Sequence, residues 1–371
     1  MASIKRRSDR GGRWEVRYRD PAGKQRARLF ERKVDAERFA ATTAADLLRG
    51  TYVDPAGGRC MFGDYARTWA ESQVHRATTS AQVESNLRNH ILPTFAARPL
   101  AAVRPSEVQS WVKGRTEVLA PSTVEVIYRY VAAIFASAVD DRLIVVTPCK
   151  GVKLPKVEAP EVVPLATEAV EALIDAMPER YRAAVVLAAG TGLRQGEVFG
   201  LTTDHLDFLR RSLRVDQQLV LLPRRPPYLA PPKTKASRRT IPLPDVVLEE
   251  LAAHLAVFPV GEGDSLVFTN DKGEGIRRNR FSESVWVPAV ARAGVPGAHF
   301  HDLRHYYASL LIRHGESVKV VQARLGHASA SETLDTYSHL WPDSEDRTRA
   351  AVDAVLRSRS SRAEAARTGS I

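Results

Sequence analysis

Two proline-marked breaks cut this chain into three stretches with different periodicities, which argues for separate folding units. The breaks are Pro55-Ala56-Gly57-Gly58 and the region from Pro148 to the run between Pro155 and Pro164. A chain of 371 residues has room for two or three domains. In the first stretch, Arg13-Trp14-Glu15-Val16-Arg17-Tyr18-Arg19 alternates with the period of a strand. Asp20-Pro21-Ala22-Gly23-Lys24 reads as a turn and Gln25 to Phe30 as the return strand. Val34 to Arg49 follows as a helix, so residues 1–57 form a small sheet-plus-helix module.

Residues 60–152 read as all-helical. Phe62, Tyr65 and Trp69 fall on one helix face. Thr79 to Ile91 and Pro105 to Lys113 continue the pattern, and a long helix runs from Thr123 to Asp140 with Ser122 as N-cap. Residues 165–354 mix types. Glu168–Ala176, Tyr181–Ala189, Asp245–Phe258, Phe281–Ala293, Asp302–His314 and Ser317–Arg324 read as helices. Ser212 to Leu222 and Arg238 to Leu243 read as strands, giving an α+β unit that is mostly helical with a small antiparallel sheet. Residues 355–371, rich in Ser, Arg and Ala, read as a loose tail.

The formal charge is +11 and the pI about 9.8. Lys5 to Lys33 alone carries 12 Lys/Arg against 4 Asp/Glu. Such a balance points to a polyanion, nucleic acid above all, although a merely basic protein would show it too. Cys60 and Cys149 support neither a disulfide framework nor a cysteine-rich zinc module, so the expected compartment is a reducing cytoplasm. Met1 to Arg10 lacks the apolar core of a signal peptide, and no uninterrupted apolar run reaches membrane-span length, so no membrane partner is expected.

The chemistry-bearing residues come late. Arg194 follows Gly190-Thr191-Gly192, with Glu197 one helical turn on, where a carboxylate can orient the guanidinium. Taken alone, such a pair is an ordinary surface contact that stabilises little. His301 and Arg304 share a helix face, and an arginine fork suits two-pronged phosphate contact. His305, four residues from His301, raises a zinc reading. Asp302 stands where a metalloprotease has glutamate, and no third ligand follows at the expected spacing. His305 is therefore expected to be a packed histidine, and no metal is expected. His327 follows Leu325-Gly326, and Tyr337 lies ten residues on. A tyrosine with a pKa near 10 needs a proton acceptor and nearby cations to act as a nucleophile. Lys233 to Leu243 is a basic hairpin candidate. Gly190-x-Gly192-x-x-x-Gly196 misses the dinucleotide fingerprint by one residue and follows an apparent helix.

The runs TGLRQGEVFGL, PPKTKASRRTIPLP, HDLRHYYASLLIRHG and LGHASASETLDTYSHL, in this order between Thr191 and Leu340, resemble the tyrosine recombinases, specifically phage-type integrases. The resemblance extends over the helical segment and, more loosely, over the basic N-terminal module. It implies a helical core-binding domain and a catalytic domain clamping double-stranded DNA attachment sites. Arg194 and Arg304 would hold the scissile phosphate with His327, Glu197 would support Arg194, and Tyr337 would attack to give a 3′-phosphotyrosine. Lys233, with Lys235 as the alternative, would protonate the leaving 5′-oxygen, and His301 would assist proton transfer at Tyr337. No cofactor is implied. A homotetramer on DNA is implied, together with an accessory DNA-bending protein or excision factor. The N-terminal module resembles an arm-type DNA-binding domain, with Arg13, Trp14, Arg17, Tyr18 and Arg19 as candidate contacts, joined by Lys235 and Arg238 of the basic run. A type IB topoisomerase-like enzyme and a catalytically silent DNA-binding protein are the alternatives.

Overall fold

The computed structural model describes residues 2–21, 23–54, 57–158, 161–260, 265–341, 348–350 and 352–356. It divides into two compact units, residues 1–158 and 159–371.

The first unit begins with an antiparallel meander, β1 (Ser3–Arg7), β2 (Arg13–Arg19) and β3 (Gln25–Phe30), backed by α1 (Lys33–Arg49). The period-2 pattern sorts β2 by face. Val16 and Tyr18 are buried with Ala36 and Ala40 of α1, and Trp14 packs at the edge of that cluster. Arg13, Arg17 and Arg19 point to the other, exposed face. Glu15 lies buried among them, 2.9 Å from Arg17 Nε and 3.5 Å from Arg7 Nη1. Gly50 ends α1 in the left-handed conformation, its N–H bonded to the carbonyls of Asp46 and Leu47. Ala22 of the expected turn lies outside the described residues, but the turn closes through the Gly23 N–H on the Asp20 carbonyl.

The expected linker at Gly57-Gly58 is a packed 3-10 turn, Gly57–Arg59. A Cβ on Gly58 would stand 2.6 Å from that of Ala101. Pro55 and Ala56 lie outside the described residues. Beyond the turn come α2 (Phe62–Ser72), α3 (Ala77–Asn86), α4 (Leu92–Phe95), α5 (Pro105–Thr116) and α6 (Pro121–Asp140), with a π-turn, Leu87–Ile91, joining α3 to α4. Phe62 lies at ring distances of 5.1 Å from Phe135 and 5.6 Å from Phe95, at the centre of this core. The α6 start differs from the expectation. Pro121 is the first helical residue and Ala120 the cap, because proline's fixed φ suits that position and its missing N–H costs nothing there. Among the described residues α6 alone is long and apolar enough to cross a membrane, and Val124, Ile127, Val131, Ile134 and Phe135 bury one face of it in this core.

The second unit holds α7 (Thr167–Ala176), α8 (Glu179–Thr191) and α9 (Gln195–Phe199), followed by a three-stranded antiparallel sheet and a two-stranded one. The larger sheet orders β4 (Leu206–Asp207), β5 (Ser212–Val215) and β8 (Arg239–Pro242); the smaller pairs β6 (Gln218–Val220) with β7 (Tyr228–Ala230). One strand was expected over Ser212–Leu222. It splits at Asp216-Gln217 because these side chains turn inward, Asp216 to His205 at 2.6 Å and Gln217 to the Gly200 carbonyl at 3.0 Å. The basic run is not a hairpin of its own. Lys233 lies on the connection from β7 to β8, strands of different sheets.

Helices α10 (Asp245–Val257), α11 (Arg278–Phe281) and α12 (Val287–Arg292) close the core, where Phe199, Phe281 and Phe300 meet at 5.0 to 6.0 Å. Then α13 (Asp302–Arg313), α14 (Val318–Leu325) and α15 (Ala330–Tyr337) carry the late boxes. The segment 348–350 and 352–356 is helical; the rest of the expected tail lies outside the described residues.

Candidate active site

Four chain segments meet at the end of α8. Gly192 terminates that helix at φ +66, and a Cβ there would fall 2.5 Å from the Tyr307 ring, so both conformation and space demand glycine. The turn leaves the Gly192 carbonyl as acceptor for Arg304 Nη1 at 2.7 Å, while Nη2 donates to the Leu325 carbonyl at 2.8 Å. Arg304 is 2% exposed. Burial, then the Arg194 charge, pushes its pKa down to about 9, which leaves it cationic at neutral pH.

Arg194 caps α9. Its backbone N–H and its Nη1 both donate to Glu197, at 2.9 and 3.2 Å. Glu197 is itself gripped from the far side by Arg239, Nη2 at 2.8 Å and Nη1 at 3.2 Å. Burial alone would raise the Glu197 pKa. The Arg239 hydrogen bonds and charge, followed by those of Arg194, outweigh it and hold the carboxyl below its ordinary value.

Gly326 turns the chain after α14 at φ +66 and presents His327, whose Nδ1 pairs with Thr333 Oγ1 at 2.8 Å. Burial and the nearby Arg304 charge push the His327 pKa down to about 4, so the ring is neutral at pH 7. Ser329 caps α15, accepting from the Glu332 N–H, and this short helix delivers Tyr337. Tyr337 is 1% exposed, and its ring lies parallel to that of His327 at 6.4 Å. Burial pushes the phenol up to about 12, opposed by the charges of Arg304 and Arg194.

Sequence reasoning missed two residues. His305 is not only a packing residue: its Nδ1 is hydrogen-bonded to the Tyr337 hydroxyl at 2.8 Å. His301 meets His305 edge-on at 4.9 Å. Arg239 lies unremarked within the basic run from Lys233 to Leu243, yet its side chain is buried. Lys233, Lys235 and Arg238 are exposed on the segment leading into β8. In the first unit Arg13, Arg17 and Arg19 are exposed together, whereas Tyr18 faces α1 and its hydroxyl is bonded to that of Tyr52 at 3.0 Å. Tyr18 therefore belongs to the core of the module and not to its arginine face, and Trp14 lies half-buried on the same side.

A model of the Phage integrase family matches residues 164–343, and one of the phage integrase N-terminal SAM-like domain matches residues 61–114. The putative prophage phiRv2 integrase of Mycobacterium tuberculosis is 29% identical over 339 residues, 88% of this chain and 89% of that protein. Among solved structures, the Tn1549 transposon integrase in complex with transposon right end DNA has a TM-score of 0.66 at 21% identity, covering 80% of this chain and 100% of that one. The lambda integrase tetramer bound to a Holliday junction has a TM-score of 0.56 at 18% identity, covering 89% and 96%. The chain belongs to the phage-type integrases among the tyrosine recombinases, and is a site-specific recombination enzyme.

Proposed function

We propose that the protein integrates or excises a mobile DNA element by strand exchange through a 3′-phosphotyrosine on Tyr337. The observation that carries this reading is that Tyr337 meets the segments presenting Arg304 and His327: its hydroxyl lies 2.8 Å from Nδ1 of His305, the residue after Arg304, its ring is parallel to that of His327 at 6.4 Å, and Arg304 bridges the carbonyls of Gly192 and Leu325. Those groups suit a phosphate whose oxygens gain charge during attack, because fixed donors in a dry site need no reorganisation. Arg194, Arg304 and His327 hold the phosphoryl oxygens, and Glu197 supports Arg194. Lys233 protonates the departing 5′-oxygen. The proton of the attacking phenol leaves on the α13 side, where His301 and His305 stand. A 5′-hydroxyl from the partner strand then attacks the phosphotyrosine, so one ester replaces another and neither cofactor nor metal is consumed.

The reading extends to assembly. Exchange of two strand pairs calls for four copies on two attachment sites; the lambda integrase is seen as a tetramer bound to a Holliday junction. The N-terminal module supplies binding to flanking arm sites, and an accessory DNA-bending or excision factor completes the complex.

The test is covalent trapping. A suicide duplex carrying the junction sequence beside the encoding gene is nicked so that the cleaved fragment dissociates. The wild-type chain yields a protein–DNA band on a denaturing gel and Tyr337→Phe yields none, with equal binding in a mobility-shift assay. A covalent band from Tyr337→Phe refutes the role of Tyr337.

A further inference from the structure

We infer that His305 is a catalytic residue, the group that takes the proton from Tyr337 as it attacks and returns it on rejoining. This deepens the strand-exchange reading above and rests on it.

The argument starts from the one hydrogen bond at the reacting oxygen. The Tyr337 hydroxyl lies 2.8 Å from His305 Nδ1, inside the reach required of a general base. Its direction follows from the two environments. Burial keeps the phenol protonated and keeps the His305 imidazole neutral, so the hydroxyl donates and Nδ1 accepts. The neutral ring then carries its own proton on Nε2. The acceptor lone pair is already aimed at the proton that has to move.

His301, the other histidine of α13, is placed differently. Its side chain is exposed, and it meets the His305 ring edge-on at 4.9 Å. Among the described residues, the histidine hydrogen-bonded to the Tyr337 hydroxyl is His305. Position along the helix explains the difference. His301 is the N-cap residue, one turn before His305, whereas His305 stands within α13, three and seven residues before Ala308 and Ile312, which are buried in one cluster with Tyr337. Arg304 and His305 are thus delivered by one rigid turn, one toward the phosphate and one toward the nucleophile.

The step balances without a further reactant. The Tyr337 O–H bond breaks and its proton goes to His305 Nδ1. The phenolic oxygen bonds to phosphorus, the P–O5′ bond breaks, and the 5′-oxygen takes a proton from Lys233. On rejoining, the incoming 5′-hydroxyl gives its proton to Lys233 as its oxygen bonds to phosphorus, the bond from phosphorus to the Tyr337 oxygen breaks, and the imidazolium of His305 returns its proton to the departing phenolate.

The experiment uses the full chain on a suicide duplex that the wild type cleaves, in single turnover. His305→Asn keeps a hydrogen-bond acceptor near the Nδ1 position but cannot hold a proton. It binds DNA within about twofold of wild type and cleaves on the order of 10²-fold or more slowly, the scale of a lost general base. His305→Ala shows the same loss or a larger one. Placing a fluorinated, more acidic tyrosine at position 337 restores most of the His305→Asn loss and little of a His301→Asn loss. A 5′-bridging phosphorothiolate, whose leaving group needs no proton, restores neither His305 variant. A merely structural role for His305 predicts no selective rescue by the acidic phenol. Wild-type cleavage by His305→Asn, rescue by the phosphorothiolate, or fluorotyrosine rescue of His301→Asn instead of His305→Asn overturns the inference. Those outcomes leave the Tyr337 reading standing, since it falls only if Tyr337→Phe forms the covalent band.

Discussion

Arg239 holds Glu197 with both arms of its guanidinium, at 2.8 and 3.2 Å, and Glu197 in turn holds Arg194 at 3.2 Å. Both partners of the fork are almost fully buried, and Arg239 Nε also donates to the Arg324 carbonyl at 2.8 Å. One side chain therefore ties β8 to α9 and to the end of α14, the two places from which Arg194 and His327 are presented. Truncation as Arg239→Met leaves the buried carboxylate with Arg194 alone, and removing a partner from a buried pair costs up to about 3–5 kcal/mol when no other partner remains, less here. Arg239→Lys keeps the charge but replaces a planar fork with a single ammonium, so it loses the two-pronged geometry. The expected outcome is a large fall in urea midpoint for Arg239→Met. For Arg239→Lys the expected outcome is a smaller fall with cleavage slowed while DNA affinity holds. Wild-type stability of Arg239→Met would show that the fork contributes nothing.

The buried imidazoles set an acid limit. His327 titrates near 6.5 in an unfolded chain and at about 4 here. A base whose folded pKa is depressed stabilises the fold fully above the unfolded value and progressively less as pH falls toward the folded one. His305 and His254 are shifted in the same direction, both by burial first. Stability measured by urea unfolding therefore drops between pH 7 and pH 5, and His327→Asn drops less over the same interval. Glu197 does not confuse the comparison, since its depressed carboxyl loses its contribution only at lower pH. Equal stability at pH 7 and pH 5 would contradict the assignment.

Much of the site is legible in the order of the boxes, because Arg194, His327 and Tyr337 sit at helix ends and turns that short motifs specify, and Arg304 in the first turn of α13. What escapes the sequence is the facing of individual residues. Arg239 looks like its neighbours Lys235 and Arg238 in a basic run, yet it shares strand parity with buried Ile241 and so points inward. His305 differs from a packed histidine only by what α15 brings against it, a contact with a partner 32 residues away. Tyr18 shares the parity of buried Val16 and not that of the arginines it alternates with. The break between β5 and β6 depends on Asp216 and Gln217 finding partners on another segment, which alternation alone does not encode.

Lys233 and Lys235 flank Thr234, whose side chain accepts from the Ser237 N–H and starts a 3-10 turn at Lys235. Lys235 is thus fixed within the turn, whereas Lys233 precedes it on the extended segment. Lys233→Ala is expected to slow cleavage strongly and Lys235→Ala only mildly. A 5′-bridging phosphorothiolate substrate should restore Lys233→Ala, because a thiolate leaves without a proton. Restoration of Lys235→Ala in its place would transfer the acid role to Lys235.

The N-terminal module makes its prediction through the separation of its two faces. Arg13, Arg17 and Arg19 stand on the outer face of β2, and buried Glu15 pairs with Arg7 and Arg17 from beneath. Pairing with Glu15 reduces the rotamer freedom the two guanidiniums would lose on meeting a phosphate or a base edge, so the face is partly organised before DNA arrives. Tyr18 lies on the other face, its ring against Phe39 and its hydroxyl on Tyr52. The two kinds of residue should therefore fail differently. Arg17→Ala and Arg19→Ala should weaken arm-site protection in footprinting, flatten its salt dependence, and leave the module folded. Tyr18→Ala should lose the same protection by unfolding the module, visible as early proteolysis of residues 1–54. Deleting residues 1–57 should abolish flanking protection and spare cleavage of an isolated core site. An unchanged footprint from Arg17→Ala and Arg19→Ala, with the module folded, would show that the arginine face does not read DNA.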